Sequence, residues 1–134
     1  MVFFLLMMTF TLKADIPLLS INKAYMTLRN GRRCRSEEYN VFAHMISRLL
    51  NANRASFNVF DNYFDSSKHE VYGSLTFYTD ELFTKDGKLS KKSGDLGNME
   101  KCITDCVLIG KVDDSYITSW TLLKRHRATK GFEL

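Results

Sequence analysis

Two short acidic stretches carry the residue types that hydrolytic chemistry needs. Asp95 opens the run Asp95-Leu96-Gly97-Asn98-Met99-Glu100-Lys101, and Asp113 and Asp114 stand side by side about a dozen residues further on. Hydrolysing a phosphodiester at neutral pH takes an activated water and neutralised phosphoryl charge, which Mg²⁺ supplies when hard carboxylate oxygens hold it. Lys101 is placed to contact a scissile phosphate or a leaving oxygen. A second reading stands beside the first. Asp95 is equally suited to cap a helix, an Asp-Asp pair is a common turn, and Lys101 and Asp105 suit a solvated helix face. Glu100 is expected to face solvent.

Basic residues gather in three places: Arg29, Arg32, Arg33 and Arg35; Lys85, Lys88, Lys91 and Lys92; and Lys124, Arg125, Arg127 and Lys130. Each group falls in or beside a predicted turn, which suits a protein that grips phosphates while it positions cations. The formal charge of +4 adds only mild weight toward a polyanionic partner. The three cysteines are odd in number, and Cys102 and Cys106 stand four apart in an apolar-periodic stretch. That spacing argues for free thiols in a reducing compartment rather than a disulfide framework. His44, His69 and His126 show no zinc-ligand spacing.

The elements that must position these groups follow from periodicity. The apolar run Met1 to Leu12 is too short to span a bilayer and lacks a basic start, so it is read as a buried strand rather than a targeting segment. Pro17 and the stretch Leu18 to Asn22 make a crossing loop. Asn30-Gly31 is a hairpin signal of the type I′ kind, with Tyr25 to Arg29 and Arg32 to Arg35 as arms. Ser36 is a helix N-cap with Glu37 and Glu38 in the first turn. The helix runs to about Leu50, with Tyr39, Phe42, Ile46, Leu49 and Leu50 on one face.

The segment Asn51 to Glu70 is read as loop with one short strand. Val71 to Thr79 alternates and is rich in β-formers, so it is a strand. A lysine-rich loop spans Asp80 to Gly94, and a second helix runs from about Asp95 to Leu108 on Met99, Cys102, Ile103, Cys106 and Val107. Asp113 and Asp114 open a strand through Tyr116, Thr118, Trp120 and Leu122, and Gly131 to Leu134 adds a last short one. With no repeat or linker, residues 1–134 form one α+β domain, a mixed sheet packed with two principal helices.

This order of features resembles the RusA-like Holliday junction resolvases over nearly the whole chain. The likeness rests on Asn22 and Tyr25, the arginine hairpin leading to Ser36 and Tyr39, and the pattern Asp-x-Asp-Asn-x-x-Lys followed by paired aspartates. Every fixed position is present except the second Asp, where Gly97 stands. The resemblance implies a small α+β homodimer in the bacterial or phage-infected cytoplasm, binding four-way DNA and cutting paired strands with Mg²⁺ or Mn²⁺.

Carried over by position, Asp95 and Asp114 are metal ligands, Asp113 a further acid of the cluster and Lys101 the essential lysine. Arg32, Arg33 and Arg35 with Lys85, Lys88, Lys91 and Lys92 are the expected DNA contacts. Gly97 removes a ligand and a negative charge, so weaker metal binding and impaired cleavage are expected. Three explanations compete: Glu100 or Asp105 substitutes, the protein binds junctions without cutting, or Gly97 disables a normally active enzyme. The last two are favoured. The competing class is a noncatalytic DNA-binding protein, for which the basic loops and aromatic residues such as Tyr63, Phe64 and Trp120 would suffice.

Overall fold

A computed structural model describes residues 9–57, 64–65, 67–108 and 114–134. In chain order the elements are β1 (Lys13–Ala14), α1 (Ile21–Ala24), β2 (Tyr25–Thr27), β3 (Arg33–Arg35), α2 (Glu37–Ala52), α3 (Arg54–Phe57), β4 (Val71–Thr79), α4 (Leu96–Leu108), β5 (Ile117–His126) and β6 (Gly131–Glu133). Single 3-10 turns at Lys91–Ser93 and Asp114–Tyr116 precede α4 and β5.

Helix α2 starts where the sequence predicts because Ser36 serves two partners. Its Oγ accepts the Tyr39 N–H at 3.1 Å and donates to the Lys23 carbonyl at 2.6 Å. The first bond satisfies a helix-start donor, and the second ties the helix to the chain before the hairpin. Tyr39, Phe42 and Ile46 are buried, one helical turn apart, and Leu49 and Leu50 are half-buried behind them. The far end is closed by Asn53, whose N–H and Nδ2 both donate to the Leu49 carbonyl.

The four-stranded sheet runs β1-β6-β4-β5, with β4 and β5 parallel and β6 antiparallel to both β4 and β1. Parallel neighbours require a crossover, and α4 supplies it. Leu75, Phe77 and Thr79 alternate onto the inner face of β4 and are buried, as is Phe132 of β6. Against them pack Cys102, Ile103, Cys106 and Val107 of α4, then α2. The protein is an α+β fold with a mixed sheet and two principal helices. Among the described residues no helix is long and apolar enough to cross a membrane.

Several local expectations are corrected. The Asn30-Gly31 hairpin forms, but with a three-residue loop rather than a type I′ turn. The Gly31 N–H donates to the Leu28 carbonyl at 2.9 Å and the Leu28 N–H to the Arg32 carbonyl at 2.8 Å. Only Gly31 takes a positive φ there, of 80°. Asn30 instead accepts the Arg32 N–H on Oδ1 at 2.9 Å, a local bond available without a positive φ. The result is a type I turn followed by a left-handed glycine.

The crossing loop contains α1, begun by Ser20, whose Oγ accepts the Asn22 N–H. The predicted strand ending at Leu12 lies outside the described residues over 1–8. Among the described residues strand pairing begins at Lys13, and the buried Leu12 before it exchanges two backbone bonds with Leu134. Between α2 and β4, helix carries through Ala52 and resumes in α3 where loop was expected, with residues 58–63 and 66 outside the described part. Asp114 begins a 3-10 turn, and the strand starts at Ile117.

The alkaline limit of stability follows from the core. Burial pushes the Cys102 thiol up to about 11 and the Tyr39 phenol up to about 12. An unfolded chain sheds these protons near pH 9 and pH 10, while the folded protein holds them longer. Stability is therefore fully present below pH 9 and falls as pH rises toward 12. Urea unfolding between pH 7 and pH 11 is expected to lose about 1–3 kcal/mol, with Cys102→Ala removing the part lost between pH 9 and pH 11.

Candidate nucleic-acid interface

Strand register places the arginines. Tyr25 pairs with Arg35 and Thr27 with Arg33, so Tyr25, Thr27, Arg33 and Arg35 share one face of the hairpin. The Arg33 guanidinium lies 4.7 Å from the centre of the Tyr25 ring, and the Arg35 guanidinium lies 4.7 Å from that of Tyr39. The two rings are themselves 5.9 Å apart. Tyr39 is 4 % exposed and its hydroxyl accepts a long bond from the Cys106 Sγ. Burial, and then Cys106, raise its pKa to about 12, while Arg35 acts in the opposite sense. The phenol is therefore neutral in the physiological range and offers Arg35 a fixed aromatic surface.

Arg29, Arg32, Arg33 and Arg35 are exposed. Among the described residues none forms an ion pair with a carboxylate. A guanidinium stacked on a buried ring has lost part of its rotamer freedom before any ligand arrives, yet keeps its donors available. Tyr25 and Tyr39 are the ring supports of these arginines, a role that local spacing alone does not announce.

The lysine loop folds as a second hairpin, with Lys85, Lys88, Lys91 and Lys92 exposed and likewise unpaired with carboxylates among the described residues. The third basic group behaves differently. The Lys124 Nζ donates to the Ser93 Oγ and the Gly94 carbonyl, each at 2.8 Å. Arg127 bonds Asp15 at 2.8 Å and lies over the Tyr78 ring. Lys130 bonds Glu81 at 2.9 Å, a contact that raises its pKa. These three side chains have partners within the fold, while Arg125 is exposed and donates to the Lys124 carbonyl.

The acidic side chains described between Asp95 and Asp105 are spread along α4. Asp95 caps the helix: its Oδ1 accepts the Gly97 N–H at 3.0 Å and its carbonyl the Met99 N–H at 3.1 Å. Lys101 forms an ion pair with Asp105 at 3.0 Å, one turn along the helix. Glu100 is half-buried rather than solvated, because the buried Thr104 hydroxyl needs an acceptor and donates to it at 2.6 Å.

The backbone of Asp114 lies at the entry to β5, whereas Asp95 follows Gly94, which is bonded to Lys124 near the exit of that strand. Seven residue steps along the strand separate Ile117 from Lys124, roughly 23 Å at strand rise. Asp113 and the side chain of Asp114 lie outside the described residues, as does Tyr63. Among the described residues no three His, Cys, Asp or Glu side chains converge on a cation position.

The same separation divides the basic groups. Arg35 reaches Cys106 through Tyr39, toward the end of α4, whereas Lys91 and Lys92 adjoin its start. Ten helical steps separate Leu96 from Cys106, roughly 15 Å. No protein-family model matches this chain, and no curated protein matches it.

Gly97 is the expected ligand position that lacks a carboxylate. It is exposed, and a Cβ there would meet only the Asp95 Oδ1 at 3.7 Å, an ordinary contact. Gly97→Asp therefore fits sterically. It also gains helix propensity and a favourable charge in the first turn, against repulsion from Asp95. Its thermal midpoint is expected to match or slightly exceed that of the unaltered protein. Asp95→Ala, which removes the cap, is expected to cost about 1 kcal/mol by urea unfolding.

Proposed function

We propose that the protein binds branched DNA, four-way junctions included, through the arginine hairpin and the lysine hairpin, in the manner its resemblance to RusA-like resolvases implies. The observation that carries the reading is the pair Arg33 and Arg35, exposed, free of carboxylate partners among the described residues and stacked on Tyr25 and Tyr39. Phosphate contacts from such residues dominate affinity for DNA and fix the protein's register on it. Two basic surfaces that adjoin α4 at points roughly 15 Å apart suit a ligand whose arms leave one point in different directions. The resemblance adds a homodimer and a cytoplasmic setting, in keeping with three free cysteines.

The resemblance also implies cutting by Asp95, Asp113, Asp114 and Lys101 with Mg²⁺ or Mn²⁺. Their oxygen donors suit either ion. Within one chain, however, Asp95 is engaged as a helix cap and Asp114 enters at the other end of α4, so these residues do not fit a single-chain metal centre. With Gly97 at the remaining ligand position, the reading favoured for this chain is junction binding without cutting.

The test is incubation of a labelled four-way junction and a matching linear duplex with the protein as it stands and with Gly97→Asp, with and without Mg²⁺ or Mn²⁺. The expected result is junction-selective binding by both proteins without added metal, and no cutting by the unaltered one. Metal-dependent nicking by the unaltered protein would overturn the non-cutting reading. Failure to bind either DNA would overturn the function as a whole.

A further inference from the structure

The lysine-rich loop repeats the turn of the arginine hairpin. The Gly87 N–H donates to the Thr84 carbonyl at 3.0 Å, the Thr84 N–H to the Lys88 carbonyl at 2.7 Å, and Gly87 has φ 77°. This is the bonding of Leu28 to Arg32 with Gly31 at φ 80°. The sequences correspond: Leu28-Arg29-Asn30-Gly31-Arg32 and Thr84-Lys85-Asp86-Gly87-Lys88. Both tips place a cation first in the loop and another directly after the glycine.

The second hairpin differs in what stands beside its cations. Phe83 and Leu89 pair across it, and both are exposed, at 47 % and 77 %. Cross-strand partners share a face, so the two form one apolar ridge. Phe83 is propped against the His126 ring, with centroids 6.2 Å apart.

The base beneath this ridge is fixed. Leu82 is buried, the Ser90 N–H bonds the Leu82 carbonyl at 2.9 Å, and Lys130 holds Glu81. Ser90 then accepts the Lys92 N–H and, through its carbonyl, the Ser93 hydroxyl. Lys85, Lys88, Lys91 and Lys92 belong to the same segment, in which Asp80 and Glu81 are paired with Lys130 and Asp86 stands at the turn.

We propose that Phe83 and Leu89 form a wedge that enters an unstacked base step of a nucleic acid, while Lys85, Lys88, Lys91 and Lys92 hold the phosphates on either side. The proposal rests on the branched-DNA reading and deepens it. Keeping a large apolar ridge in water is unfavourable, and an opened base step supplies an apolar slot flanked by the anions that four lysines require. A branch point is where bases unstack at least cost. The arginine hairpin then supplies phosphate grip, and the lysine hairpin preference for the branch.

The test uses a four-way junction and a linear duplex, each with 2-aminopurine at the centre, and vesicles of phosphatidylserine and phosphatidylcholine. Binding of the native protein is expected to raise 2-aminopurine fluorescence in the junction. Phe83→Ala with Leu89→Ala, both at exposed positions, is expected to abolish that rise. It should weaken junction binding about tenfold, a difference of about 1.4 kcal/mol, and leave duplex binding and the thermal midpoint unchanged. Junction binding by the native protein with no fluorescence change would overturn the wedge while leaving the DNA reading in place. Vesicle binding that depends on Phe83 and Leu89, with no fluorescence change in the junction, would overturn it in favour of a bilayer. No binding to any DNA would overturn both.

Discussion

Replacing Arg33 and Arg35 together by alanine is expected to weaken junction binding about 100-fold at low salt, since a charge-assisted contact contributes about 1.5–3 kcal/mol. Each neutralised phosphate releases condensed counterions, so the slope of log affinity against log salt should become shallower by about two. Fluorescence anisotropy at four or five salt concentrations reads both quantities. The thermal midpoint should move little, because both side chains are exposed and stand on the hairpin surface. Arg33→Lys with Arg35→Lys separates charge from geometry. It should keep most of the salt slope yet lose affinity, because lysine cannot present a planar fork from the face of an aromatic ring. Equal affinity for the lysine form and the native protein would show that stacking on Tyr25 and Tyr39 contributes nothing.

The largest effect on stability is expected at Tyr39, where one ring belongs both to the core and to the interface. Tyr39→Ala removes a buried aromatic that supports Arg35, faces Tyr25 and meets Cys106. Loss of such a side chain costs about 3–5 kcal/mol. Tyr39→Phe is the discriminating companion. The hydroxyl's contact is a weak thiol bond at 3.9 Å, so its loss should cost under about 1 kcal/mol. The ring face under Arg35 remains, and junction affinity should be unchanged. The same substitution should remove the share of alkaline destabilisation that comes from the phenol. A large loss of binding in the phenylalanine form, with stability retained, would assign the hydroxyl a role that its surroundings do not suggest.

The long periodic segments were legible in the chain. The one-face spacing of Tyr39, Phe42 and Ile46 and the alternation of Val71 to Thr79 gave α2 and β4. Cys102, Ile103, Cys106 and Val107 gave the buried face of α4. Turn chemistry was read less well, and this hid the interface. A two-residue turn at Asn30-Gly31 pairs Arg29 with Arg32, and so sets Arg35 opposite Met26. The observed three-residue loop slips the register by one and sets Arg35 opposite Tyr25. Had the side-chain bond of Asn30 been weighed, the Tyr-Thr and Arg-x-Arg alternation of the two arms would have pointed to the stacked pair. The same turn in Thr84 to Lys88 has no flanking alternation to announce it.

Asp95 and the backbone of Asp114 stand apart for a reason that sequence spacing conceals. A parallel crossover carries the chain from the exit of one strand to the entry of the next, so residues before and after its helix occupy opposite ends of the sheet. Asp95 and Asp114 bracket such a helix. The partners of the third basic group were hidden for another reason. Its partners Asp15, Glu81 and Ser93 come from distant parts of the chain, and no local pattern announces them.

The most direct measurement of the central claim is competitive titration of the unaltered protein against a four-way junction and a linear duplex of the same sequence, in chelator, over a range of salt. Metal-independent preference for the junction, falling steeply with salt, is the predicted result. Equal affinity for the two DNAs, or an affinity that salt leaves unchanged, would contradict it.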